Sequence, residues 1–148
     1  RASASLPYVS EAVEFDGKKL LDGGCSDRIP VKKFQELGYQ KCILVLTHPR
    51  EHRVKDRDAA LAPLFYRKYP NFCRTFKQSP ERYEQTLRYI DEEEAKGNLF
   101  VFRPMQTISV GRLSHSPEKI AYNQGRLETQ LRLTAFRRWL KSASEPAS

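Results

Sequence analysis

Apolar residues along the chain follow two spacings, one typical of strands and one typical of helices. Residues 41–46 and 99–102 are short, mostly apolar runs, which predict buried strands, and the first is expected to be a central parallel strand covered on both faces. Residues 30–37 and 79–97 have apolar side chains at helical spacing, with proline near the start and glycine close to the end. In residues 13–21 an Asp-Gly dipeptide joins two extended arms, which predicts a β-hairpin.

Strand and helix signals alternate, which predicts an α/β fold with a short mixed or parallel sheet flanked by helices. We expect one domain over residues 1–141. Within it, residues 1–46 carry the main motifs, 56–97 are helical, and 98–141 form a strand and the final helix. The small and polar residues 142–148 predict a disordered tail. Because few strands are evident, the sheet is expected to continue in residues that this chain lacks.

The chain is basic, with a formal charge of +8 over 148 residues and a pI near 9.5. Such a surface favours anionic partners, including acidic lipid headgroups and nucleic acid. No apolar stretch reaches the roughly 20 residues of a membrane-spanning helix, and no secretion signal is evident. The chain has three cysteines, Cys25, Cys42 and Cys73, and no Cys-x-x-Cys motif. This odd number without a disulfide or zinc pattern indicates a reducing compartment. We therefore expect a cytoplasmic protein, with peripheral contact to the inner face of the membrane as a further expectation.

The segment after residue 46 is predicted to be a charged, exposed loop with two kinds of candidate side chain. His48 and His52 have the spacing of helical metal ligands, but Pro49 and the lack of a third ligand predict that no metal binds. The basic residues of this loop are Arg50, Arg53, Lys55 and Arg57. They are candidates for contact with lipid phosphates, and the alternative is that they form an ordinary solvated surface.

The final helical segment has a basic side and a wide apolar side. This pattern predicts packing onto the domain, contact with an anionic membrane, or binding of a partner. The basic side chains are Arg126, Arg137, Arg138 and Lys141. The apolar ones are Leu127, Leu131, Phe136, Trp139 and Leu140.

Asp22 is the candidate catalytic residue, because it follows a predicted strand and precedes Gly23 and Gly24. Open α/β sheets bind ligands at the carboxyl ends of their strands. Two glycines permit backbone angles and close approaches that other residues do not. A carboxylate held at such a turn can take a proton directly from a serine hydroxyl, without a histidine. The alternative is that Asp-Gly-Gly is only a turn.

Several motifs follow one another in a recognisable order. An Ala-Ser segment ending in proline precedes Asp-Gly-Gly-Cys-Ser-Asp-Arg-Ile-Pro-Val at residues 22–31. Farther along are Tyr-Arg-Lys-Tyr-Pro-Asn at 66–71, Val-Phe-Arg-Pro at 101–104, Gly-Arg-Leu at 111–113 and Pro-Glu-Lys at 117–119. This arrangement resembles the bacterial branch of the patatin-like phospholipase family over residues 2–120, most closely over the first 46 residues.

The resemblance implies a lipid acyl hydrolase that cleaves carboxylic esters with a Ser-Asp dyad and no cofactor. It implies that Asp22 is the acidic member and that Gly23 and Gly24 form the turn that presents it. The family's glycine-rich oxyanion loop and Gly-x-Ser-x-Gly nucleophile elbow do not occur in this sequence. Since the chain also opens at Arg1 without a methionine, we expect an incomplete patatin-like fold whose amino-terminal half lies upstream. The chain alone is expected to be inactive.

A non-catalytic basic module for anionic lipid or nucleic acid is the alternative function. Nucleic acid is the less favoured partner, because the basic residues are dispersed and no recognised nucleic-acid motif is present. Exposed sheet edges in half of a domain also favour self-association, so a homo-oligomer is a further expectation.

Overall fold

The computed structural model describes residues 1–53, 57–107 and 117–144. The chain divides into two units, each made of two separate segments. The first unit contains residues 1–32 and 53–88, and the second contains residues 33–52 and 89–148.

The strands form two small two-stranded sheets. They are β1 (Val13–Phe15), β2 (Lys18–Leu20), β3 (Cys42–Val45) and β4 (Leu99–Phe102). The helices are α1 (Val31–Glu36), α2 (Ala62–Phe65), α3 (Pro70–Lys77), α4 (Ser79–Ala95) and α5 (Pro117–Ser144). Short 3-10 segments occur at Ala2–Ala4, Gly23–Cys25 and Arg57–Leu61. The mixed α/β class is confirmed. Among the described residues, no helix combines the length and apolar character needed to cross a bilayer.

The predicted hairpin is confirmed in the first unit. Strands β1 and β2 are antiparallel, with Val13 opposite Leu20 and Phe15 opposite Lys18. The turn residues Asp16 and Gly17 have φ angles of 50° and 68°. These are the left-handed angles of the two-residue hairpin turn that Asp-Gly favours.

The core of the first unit is built from small residues and aromatic rings. The buried cluster is Cys25, Ala59, Ala62 and Phe76, with Tyr8, Tyr66, Phe72 and Cys73 packed against it. The Tyr8 ring lies 5.3 Å from the Phe65 ring and 5.4 Å from the Tyr66 ring, measured between centroids. The amino-terminal segment is thereby held on α2 and α3.

The second unit is built on the parallel pairing of β3 with β4, in which Cys42 lies opposite Leu99 and Val45 opposite Phe102. Strand β4 is buried, and Val101 has 0% of its surface exposed. Strand β3 alternates instead, with Val45 76% exposed. The prediction that residues 41–46 are covered on both faces is therefore wrong, because one face of β3 is exposed in this structure.

Helix α5 packs an aromatic pair on β4. The ring of Phe136 lies 5.1 Å from that of Phe100, and Trp139 Nε1 donates a hydrogen bond to the Gly97 carbonyl oxygen at 2.7 Å. This contact accounts for packing of the helix within its own unit. The helix continues to Ser144, so residues 142–144, which the sequence assigned to a disordered tail, are helical.

Glu93 joins three parts of the second unit and is only 6% exposed. Its carboxylate accepts hydrogen bonds from Lys96 Nζ at 2.7 Å, Asn98 Nδ2 at 2.8 Å and Gln35 Nε2 at 3.3 Å. The bond from Lys96 does most to lower the pKa of Glu93, followed by the bond from Asn98, while burial opposes them. The buried carboxylate is therefore stable as an anion.

We expect Glu93→Gln to lower the free energy of unfolding by about 1.5 kcal/mol near neutral pH, the lower end for hydrogen bonds to charged groups. The folded pKa of Glu93 lies below the ordinary 4.5. The stabilisation by Glu93 is therefore fully present above pH 4.5, and it is lost as the pH falls through the pKa of Glu93 in the folded protein. Denaturant unfolding at several pH values measures it, with exposed Glu92→Gln as the control. A difference between Glu93→Gln and wild type that persists at the lowest pH would contradict this account.

Candidate active site

Asp22 is fixed by its own backbone and by its side chain. It follows β2 and caps the 3-10 turn Gly23–Cys25, with Oδ1 accepting a hydrogen bond from Gly24 N at 2.7 Å. Its own N–H donates to the Ser5 carbonyl oxygen at 2.9 Å. The Ala-Ser segment and Asp-Gly-Gly, which are separate in sequence, therefore meet at Asp22.

The two glycines after Asp22 have different roles. Neither adopts a positive φ, so of the two properties that glycine permits, the turn does not use unusual backbone angles. A Cβ on Gly24 would lie 2.8 Å from Asp22 Oδ1, whereas one on Gly23 would have no neighbour within 4 Å. Close approach of the carboxylate therefore requires glycine at position 24 and not at position 23.

A cavity of about 290 Å³ lies beside the Asp22 carboxylate, within the first unit. Most of its lining is apolar, and Arg28 is the other charged residue among those that form it. The lining residues are Leu6, Pro7, Tyr8, Val9, Asp22, Gly24, Cys25, Arg28 and Phe76. Cys25 is buried, with 6% of its surface exposed.

Tyr8 has an uncommon backbone conformation at this cavity, with φ of 66°. Bulky residues rarely adopt a left-handed conformation, and such strain persists where surrounding contacts fix it. The Tyr8 N–H donates to the Tyr66 hydroxyl at 2.9 Å, and its ring packs among those of α2 and α3. These contacts hold one wall of the cavity in position.

Ser79 contacts the Asp-Gly-Gly turn, and Arg28 contacts Ser79. The sequence did not indicate either residue as part of the site. Ser79 is 1% exposed, and its hydroxyl donates to the Gly24 carbonyl oxygen at 3.3 Å. Arg28 Nε donates to Ser79 Oγ at 3.3 Å, and the guanidinium lies 5.9 Å from the centre of the Tyr83 ring. Since Ser79 is distant from Gly24 in sequence, no local pattern could have indicated this support.

A second cavity, of about 360 Å³, lies in the second unit at the carboxyl ends of β3 and β4. Asp22 follows β2 of the hairpin in the first unit, as the sequence predicted, and it does not line this second cavity. Two charged side chains of this cavity already have protein partners. Glu128 accepts from Met105 N at 3.2 Å, and Arg132 donates to the Val101 carbonyl oxygen.

The four basic residues predicted to contact lipid phosphates differ in their structural surroundings. Arg50 Nη2 lies 2.9 Å from Asp91 Oδ1 and 3.6 Å from Glu94 Oε2, so this guanidinium belongs to an ion-pair network of the second unit. Arg53 is exposed. Lys55 and the side chain of Arg57 lie outside the described residues. Contact of these residues with lipid stays a prediction.

His48 and His52 stack on each other, with ring centroids 3.8 Å apart. Burial lowers the pKa of His48, and the charge of His52 lowers it further. In the parts of the chain that the structure describes, no group of three or more His, Cys, Asp or Glu side chains could hold a metal ion.

We expect Gly24→Ala to displace the Asp22 side chain and to cost about 1 kcal/mol of stability, the usual value of a lost amino-terminal cap. Gly23→Ala is the matched control, because its added methyl group meets open space. Denaturant unfolding of both variants measures the difference. Equal free energies of unfolding would mean that the contact between Asp22 and Gly24 does not hold the turn.

Residues 69–141 match the sequence model of a family described as a domain of unknown function, DUF6363. The matched region includes α3, α4, β4 and most of α5, but it does not include Asp22, Gly23 or Gly24. No curated protein and no solved structure matched the chain. The chain is thus similar to that family over residues 69–141.

Proposed function

We propose that this chain supplies the acidic member of the catalytic dyad of a patatin-like lipid acyl hydrolase, with Asp22 as the general base for a serine. The reaction is hydrolysis of carboxylic esters in glycerophospholipids or neutral lipids. The observation that carries the proposal is that an oriented Asp22 carboxylate lies at a mostly apolar cavity. The order of motifs that resembles the patatin-like family is its second support.

The hydrogen bonding of Asp22 suits a general base. Oδ1 accepts a hydrogen bond from Gly24 N, which holds that oxygen at the turn. Within residues 1–53, 57–107 and 117–144, no hydrogen bond or ion pair engages Oδ2. One oxygen therefore orients the group, and the other can receive a proton from a serine hydroxyl.

In the proposed reaction, the serine hydroxyl gives its proton to Asp22 as its oxygen attacks the ester carbonyl carbon. The tetrahedral intermediate collapses to an acyl-enzyme, and the proton passes from Asp22 to the departing alcohol. A water molecule then gives a proton to Asp22 and attacks the acyl-enzyme. As the second tetrahedral intermediate releases the fatty acid, Asp22 returns this proton to the serine oxygen, so the hydroxyl and the carboxylate are both restored. Neither a metal ion nor an organic cofactor takes part in this scheme.

The cavity lining suits an acyl chain better than a polar substrate. Leu6, Val9 and Phe76 present apolar surface to it. Leu6 is 53% exposed and Val9 is 81% exposed, so this wall can be covered by a bound hydrocarbon. Burial of apolar surface stabilises a complex by about 25 cal/mol per Å².

The serine nucleophile must come from residues outside this sequence, and we propose a cytoplasmic location for the protein. We propose that an amino-terminal half of the same domain supplies the nucleophile elbow and the oxyanion loop, and that this chain alone is inactive. Cys42 and Cys73 are free thiols, which is compatible with a reducing cytoplasm.

The test is Asp22→Asn in the complete product of the gene, assayed on a medium-chain p-nitrophenyl ester. The amide oxygen of asparagine can still accept the hydrogen bond of Gly24, so we expect the stability to be unchanged. Loss of the base is expected to lower kcat by about 100-fold to 10,000-fold. Asp16→Asn is the matched control, because asparagine also tolerates the positive φ at position 16.

Two outcomes would overturn the proposal. One is a complete gene product that does not hydrolyse esters at all. The other is an Asp22→Asn protein that keeps the kcat of the Asp16→Asn control, because Asp22 would then be only the cap of its turn.

A further inference from the structure

Helix α5 has one face turned to its own unit and one face turned away from it. The inward face carries Phe136 and Trp139, which pack on the ring of Phe100. On the other side Ile120, Leu127 and Leu131 are 48%, 58% and 70% exposed. Their spacings of seven and four residues are close to two turns and one turn, so these side chains form one line along the helix. The helix therefore has an apolar stripe that its own unit does not cover.

Basic residues accompany this stripe along the outward face. They are Lys119, Arg126, Arg137, Arg138 and Lys141, and all are exposed. The acidic residues of α5 are elsewhere. Glu118 lies 18 residues, or about five full turns, before Phe136, so it is on the same side of the helix as that inward-facing residue. Glu128 accepts hydrogen bonds from Met105 N and Gln124 Nε2 beside the second cavity. The outward face consequently combines apolar and positive groups without a negative one.

We infer that the outward face of α5 docks on the surface of an anionic phospholipid bilayer. An interfacial helix buries leucine and isoleucine side chains at the boundary of headgroups and acyl chains, while its basic side chains meet lipid phosphates. The long stems of arginine and lysine can lie along apolar surface and keep their charged ends in the headgroup layer. Phosphate contacts alone would suit nucleic acid equally well, but the exposed leucines between the arginines have no role there.

The dimensions of α5 suit this orientation. Its 28 residues extend about 42 Å at 1.5 Å per residue. Ile120 and Lys141 lie near opposite ends, so the face can contact lipid along most of its length. This inference does not depend on Asp22 and concerns a different part of the chain.

The test is co-sedimentation of the 148-residue chain with vesicles. One set contains phosphatidylcholine alone, and the other contains phosphatidylcholine and phosphatidylglycerol at a ratio of about seven to three, a membrane with a negative surface potential. We expect binding to the anionic vesicles only, and weaker binding at high salt, where exposed charges are screened.

Matched variants separate the apolar and the basic contributions. Arg126→Gln with Arg137→Gln should weaken vesicle binding about 25-fold, because each basic residue near an anionic surface contributes about fivefold. Leu127→Gln with Leu131→Gln should weaken it at least as much, and glutamine preserves helix propensity. Lys18→Gln with Lys19→Gln removes the same charge from the exposed hairpin and should leave binding nearly unchanged. Circular dichroism and denaturant unfolding establish that each variant folds.

Three results would overturn the inference. The hairpin variant and the α5 variants could lose binding equally, which would make the effect one of net charge. The chain could shift a DNA duplex and ignore the vesicles, which would identify nucleic acid as the anionic partner. The chain could be a dimer that becomes a monomer with Leu127→Gln and Leu131→Gln and does not bind vesicles, which would identify the stripe as a contact between copies.

Discussion

The parallel pairing of β3 with β4 is the constraint on which the organisation of the chain depends. Parallel strands cannot be joined by a tight turn, so the chain must make a long excursion between them. That excursion contains α2, α3 and α4. Residues 53–88 of the excursion join residues 1–32 in the first unit, while β3, β4 and α5 belong to the second. One backbone requirement thus explains why each unit is assembled from two separate segments.

Features that neighbouring residues determine were predictable from the sequence, and features that depend on distant contacts were not. The hairpin turn at Asp16 and Gly17 was predictable because two adjacent residues determine it. The parallel strands were predictable from their apolar runs. The exposure of Val45 was not, because it depends on which elements cover β3, and an apolar run cannot specify them. Similarly, the contact of Ser79 with Gly24 depends on tertiary packing across a long stretch of sequence.

The candidate site also combines features that the local sequence indicated with features that only tertiary packing determines. The sequence singled out Asp22 and the two glycines, and the structure assigns them distinct local roles, with Gly24 close to the carboxylate and Gly23 beside open space. A capped turn and a general base are compatible, because one carboxylate oxygen suffices for the cap. The capping bond by itself is common in proteins. The cavity and the meeting of Ser5 with Asp22 are therefore what support a catalytic role over a purely local one.

Covalent labelling tests the central claim most directly. A fluorophosphonate reacts with a serine only where the hydroxyl is activated, and mass spectrometry of the labelled peptide identifies that serine. We predict that the complete gene product is labelled at one serine outside these 148 residues, at a rate that falls sharply with Asp22→Asn, and that this chain alone is not labelled. Labelling that is equally fast without the Asp22 carboxylate, or no labelling of the complete product, would contradict the account.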